Sequence, residues 1–261
     1  MPRLLALVTL ALLAVACGPQ QTTPTPPPRT VLGTSTADGL TAELSATAAL
    51  STGLTTVWVK LAQDGKPVTD AALTLLPVMT MPTKSHACPV VGEVVSEGDG
   101  VYRGQLVFQM ASADMGTWTL GVKVARGAVE QKLGFDVVVG DGGRVHSFTM
   151  ADPANAAMTN KYVMSVSFPE GTKVGPNPVV VTLHRMKDMM TFPGVDDATI
   201  EMVPEMPAHG HGSSNNVAPT LKAPGRYEGS VNFTMPGEWK TTFTLKAGGA
   251  TMTTKAFDTL L

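Results

Sequence analysis

The chain repeats itself, and no other feature limits its fold as much. DAALTLLPVMTMP (Asp70 to Pro82) returns as DATIEMVPEMP (Asp197 to Pro207), and GVYRGQLVFQM (Gly100 to Met110) returns as GRYEGSVNFTM (Gly225 to Met235). GTW (Gly116 to Trp118) returns as GEW (Gly237 to Trp239). Tyr102 thereby matches Tyr227, Gly104 matches Gly229, Phe108 matches Phe233 and Trp118 matches Trp239. Order and approximate spacing are both kept, so one structural unit occurs twice, joined around GDGGR (Gly140 to Arg144).

Within each copy, short segments alternate apolar and polar residues and are bounded by Gly, Pro, Asp or Asn. VYRGQLVF, TWTLGVKV and QKLGFDVVV are examples in the first copy; KYVMSVSF, RYEGSVNF and WKTTFTLK are examples in the second. A period of two buries one side of a strand and leaves the other wet. TAELSATAAL (Thr41 to Leu50) is the one window ambiguous between helix and strand. About seven short strands per hundred residues, with frequent turns, predict an immunoglobulin-like β-sandwich for each copy. With 261 residues, 43% of them apolar, the chain can build two cores, and Trp118 and Trp239 are the expected plugs. The expected fold is all-β: two tandem sandwiches at residues 34–140 and 141–261.

The N-terminus, MPRLLALVTLALLAVAC, places Arg3 before an apolar run from Leu4 to Ala16 and then Cys17. That run is short for a bilayer span and suits a secretory signal. Small residues before the cysteine resemble a bacterial lipobox, with Ala14 where leucine is usual. Cleavage after residue 16 and acylation of Cys17 are expected, an ordinary cleaved signal being the other reading. Several acyl chains anchor stably, at about 0.8 kcal/mol per buried methylene. Gly18 rather than Asp favours the outer membrane, facing the periplasm. Residues 17–33 then read as an acylated cysteine and a tether; its stretch GPQQTTPTPPPRT reaches roughly 40 Å at about 3.1 Å per residue. Once Cys17 is acylated, Cys88 has no partner for an internal disulfide.

Net charge is −2 and no Lys/Arg cluster follows the extreme N-terminus, which excludes nucleic acid as a main partner. The sequence contains no HExxH, no G-x-S-x-G and no phosphate-cradling glycine loop, and the expectation is a binding protein, not an enzyme. Soft donors are what the chain does gather: 15 Met against eight Phe. VPEMPAHGHG brings Met206, His209 and His211 together, two of only five histidines lying one residue apart. In an extended segment both imidazoles project to one side. The matching first-copy loop offers Met79, Met81, His86 and Cys88, and HRMKDMMTF adds His184 with methionines that complete the second-copy site if the fold brings that loop close. Thioether, thiolate and imidazole suit copper(I), with copper(II) or zinc next. The same residues also suit a solvated glycine-rich loop, Cys88 a buried thiol, and Met110 and Met235 strand-end core. A non-metal adhesion or scaffold module contacting another envelope protein is the alternative to a copper carrier.

The second copy resembles the YtkA-like domain of bacterial extracytoplasmic proteins, related to the FixH-like group. Met206, Pro207, His209 and Gly210 match its loop; Gly225, Tyr227, Met235, Gly237 and Trp239 match the strand and turn that follow. Ala208 stands where the family often has a second methionine. The similarity runs from Tyr162 to Phe257 and extends to the first copy. It implies an exported immunoglobulin-like sandwich, frequently a lipoprotein, for which copper or other metals are often suggested.

Overall fold

A computed structural model describes residues 27–112, 116–152 and 155–261. The expected signal peptide, Cys17 and most of the tether lie outside the described residues. The first copy contributes β1 (Thr30–Ala37), β2 (Leu40–Ala46), β3 (Gly53–Gln63), β4 (Lys66–Pro67), β5 (Ala72–Thr80), β6 (Ser85–Ala87), β7 (Val95–Gly98), β8 (Val101–Phe108), β9 (Thr117–Arg126) and β10 (Val129–Val137). The second contributes β11 (Val145–Asp152), β12 (Asn155–Ser167), β13 (Gly175–Met186), β14 (Ala198–Met206), β15 (His211–Gly212), β16 (Val217–Ala223), β17 (Arg226–Phe233), β18 (Glu238–Ala247) and β19 (Ala250–Leu260). No described residue is helical, and the ambiguous window at Thr41 becomes β2. The strand β1 takes up Thr30 to Gly33, which the sequence leaves in the tether.

In the first copy, β1-β2-β3-β8-β7, with β4 on β3, forms one sheet and β10-β9-β5-β6 the other. In the second, β11-β12-β13-β17-β16 and β15-β14-β18-β19 take the same places. Along β5 and β9 every second residue is buried, as the alternation requires. Trp118, Tyr102 and Phe108 fill the first core; Trp239, Tyr227, Phe233 and Phe243 fill the second. The two-sandwich, all-β reading of the repeat therefore holds.

One hydroxyl latch occurs in both copies. Tyr102 Oη donates to Val68 O at 2.9 Å and accepts from Ala71 N at 3.2 Å. Tyr227 Oη donates to Val195 O at 2.7 Å and accepts from Ala198 N at 3.3 Å. Val68 N reaches Leu61 O, and Val195 N reaches Leu183 O, so those pairs are equivalent. Leu61 to Val68 is seven positions and Leu183 to Val195 is twelve, so the second copy carries five extra residues here. They form the turn around Asp188, in which Asp188 Oδ1 accepts from Met190 N at 2.8 Å and Thr191 O accepts from Lys187 N at 2.9 Å.

The copies dock through outer sheet faces. Val107 lies between the core residues Leu106 and Phe108, so it points away from the first core, yet it is 0% exposed. It clusters with Val91 and with Val163 of β12, flanked by Leu54, Val145 and Phe192. Ser165 and Thr182, on the same outer face as Val163, are buried and bonded to each other at 2.7 Å. Alternation alone would put these polar residues in water. Two polar contacts also cross the junction: Ala87 N donates to Met189 O at 2.8 Å, and Arg226 Nη1 donates to Gln105 Oε1 at 3.0 Å.

Candidate metal centres

Each copy ends one strand of its smaller sheet in the same hairpin. The strand β5 returns as β6 with Met79 opposite His86; β14 returns as β15 with Met206 opposite His211. Directly opposed residues share a face, and here that face turns inward: Met79 is 0% and Met206 2% exposed. The His86 ring meets Trp118 edge-on at 5.5 Å, and the His211 ring meets Trp239 edge-on at 6.0 Å. Trp118 Nε1 donates to Met110 O at 2.9 Å and Trp239 Nε1 donates to Met235 O at 3.0 Å. Met110 packs against the first core and Met235 against the cluster of Met206, Phe233 and Trp239, both only partly buried. Each copy thus assembles two methionines, one histidine and one tryptophan at corresponding places. Both methionines pack against their cores, as the strand-end reading of the sequence has it.

Both histidines set Nδ1 against the carbonyl of the following residue. His86 Nδ1 lies 2.8 Å from Ala87 O, and His211 Nδ1 lies 2.9 Å from Gly212 O. A carbonyl only accepts, so for His211 this contact puts the proton on Nδ1 and leaves the Nε2 lone pair free, the arrangement usual in a metal-ligating imidazole; His86 Nδ1 also lies 3.2 Å from Gln109 Nε2, itself a donor, so its contacts suit either tautomer. For His211, Nε2 is partly open to solvent. His86 is buried, and its Nε2 has no hydrogen-bond partner.

Residues 207–210 form a turn. Met206 O accepts from His209 N at 3.1 Å and from Gly210 N at 2.9 Å, and Gly210 sits at φ +63°, where glycine is at ease. The turn, not strand alternation, brings the rings of His209 and His211 to 5.8 Å between centroids. Two imidazoles bound to one ion at about 2.1 Å each have centroids no more than about 6.4 Å apart, so the observed separation permits sharing.

The other candidate donors lie elsewhere in the fold. His184 does not complete the His209/His211 set. Gly175, at the start of β13, pairs with Phe233 beneath Trp239, and His184 lies nine residues further along, roughly 30 Å at about 3.3 Å per residue. Met186 and Met189 of HRMKDMMTF lie at that far end too and line a cleft against the first copy. Cys88 is in the first core, where burial pushes its thiol well above the usual range, in keeping with a buried thiol. Met81 packs against the same core, partly buried.

His184 itself is 2% exposed, with Nδ1 unpartnered; burial lowers its pKa to about 4, offset in part by the charge of Asp196. Among the described residues, no three His, Cys, Asp or Glu side chains gather as a metal-ligand set.

A family model described as YtkA-like matches residues 34–123 and 148–244. No curated protein matches the chain. Among solved structures, a conserved domain protein from Bacillus anthracis is 9% identical, over 89% of this chain and 90% of that one, with a TM-score of 0.38. The adhesin FdeC of Escherichia coli is 14% identical over 87% of this chain and 65% of that one, at 0.27. Domains 5-6 of the S-layer protein SbsC are 14% identical over 89% and 99%, at 0.29. Overlaps this loose add nothing to the strand order as grounds for the fold.

Proposed function

The chain belongs to the YtkA-like family and carries its domain twice; from that premise we propose that it is an exported lipoprotein that binds and carries copper(I). His209 and His211 supply imidazole nitrogen at the open tip of the second sandwich, with thioether sulfur from Met206 and Met235 beside them. The observation that carries this reading is the 5.8 Å approach of the two rings next to a methionine-lined tryptophan. The hairpin holds His211 in the ligating tautomer, and the four donors are neutral, which suits a monovalent soft ion. Acylated Cys17 anchors the protein, in the outer membrane facing the periplasm, and the tether lets the tip reach another envelope protein that delivers or receives the ion. The role is binding rather than catalysis.

Titration of the purified protein with copper(I) against a chromophoric chelator tests the assignment. His209→Ala with His211→Ala is expected to weaken tip binding at least tenfold while leaving the melting temperature within a few degrees, because His209 is exposed on the turn and His211, beside Trp239, is only partly buried. Unchanged affinity would remove these histidines from the site.

A further inference from the structure

The docked copies enclose a cleft of about 410 Å³ that the tip site does not use. His86 and Met110 enter it from the first copy, Met186 and Met189 from the second, with Lys84 and Lys161 on its lining as well. His86 is 6% exposed; its Nδ1 lies against Ala87 O and Gln109 Nε2, and its Nε2 has no partner. A buried ring nitrogen left without a partner costs about 1–3 kcal/mol. The five-residue insertion of the second copy adds to the case. It carries Met189 to the cleft and fixes its backbone by the bond from Ala87 N to Met189 O, one residue from His86.

From this convergence we propose a second copper(I) site between the two copies, with His86 Nε2 and the thioether sulfurs of Met110, Met186 and Met189 as donors. Each methionine has three side-chain torsions, so the sulfurs can turn toward one ion without backbone movement. No carboxylate lines the cleft, and its donors are neutral. The two exposed lysines repel a divalent ion twice as strongly as a monovalent one at equal distance, which again selects copper(I) or silver(I) over zinc. The site is assembled from both copies and stands on different residues from those of the tip, so either can fail alone.

Stoichiometry separates the two. The full chain in detergent, titrated with copper(I) against a chromophoric chelator, is expected to bind two ions. His209→Ala with His211→Ala should leave one, Met186→Leu with Met189→Leu should leave one, and the combined variant none. Met-to-Leu exchange nearly conserves volume, and melting curves verify the fold. With silver(I) as probe, the methionine methyl carbons of residues 110, 186 and 189 should shift in NMR even in the tip variant. If Met186→Leu with Met189→Leu still binds two ions, or the tip variant binds none, the junction site is wrong. A wild-type protein that binds one ion, lost only with Met186→Leu and Met189→Leu, would instead overturn the tip site and keep this one.

Discussion

Replacing Val107 by aspartate should part the two copies while leaving both cores folded. Val107 contributes to neither core; it is buried only in the small cluster with Val91 and Val163. Burying a valine side chain stabilises by roughly 1.5–3 kcal/mol, so the three buried valines give docking on the order of 5 kcal/mol before the cost of fixing one sandwich against the other. An unpaired carboxylate at that position would cost several kcal/mol to keep dry, comparable with the whole docking term. Undocking is then the lower-energy response, because it wets the carboxylate and sacrifices only the cluster. Val107→Ala is the milder step: two methyl groups, about 1.6 kcal/mol at about 0.8 kcal/mol each. Small-angle scattering should show a larger radius of gyration for Val107→Asp with an unchanged far-ultraviolet circular dichroism spectrum. Paired with Val163→Ala, Val107→Ala should show a coupling of about 0.5–3 kcal/mol in a double-mutant cycle. Unchanged scattering, or loss of the first core's fold, would refute the claim that the second copy covers Val107.

Acid should destabilise the protein through His184. Its pKa falls from 6.5 to about 4 on folding, so the unfolded chain takes up the proton first. The group's contribution is fully present above pH 6.5 and is lost as pH drops, the loss growing to roughly 3 kcal/mol near pH 4. Urea midpoints at pH 7.5 and 4.5 measure this, and His184→Gln should flatten the slope; an identical slope in that variant would assign the acid sensitivity elsewhere. Cys17→Ser should release the protein from the membrane fraction, and persistence there would mean that the anchor is not this acyl site.

The repeat, the two-residue alternation and the Gly and Pro punctuation made the two sandwiches legible, because each depends on local pattern alone. Trp118 and Trp239 were likewise readable as core. The hairpin pairings Met79–His86 and Met206–His211 were not, since they depend on turn lengths that differ between the copies. His184 shows the limit most clearly. Gly194 and Gly225 of its own copy lie against it, a long-range contact that no local pattern announces. The grouping of His86 with Met186 and Met189, one hundred residues apart, is invisible to spacing for the same reason.

The valine row on the first copy sets an order of events during synthesis. The last strand of that copy ends at Val137, but Phe192, which completes the cover, is 55 residues later. At about 5–20 residues per second the interval is roughly 3–11 s. Throughout it a finished sandwich displays a sticky apolar edge to whatever surrounds the nascent chain. Truncations that stop before the second copy should therefore precipitate although their own strands are complete.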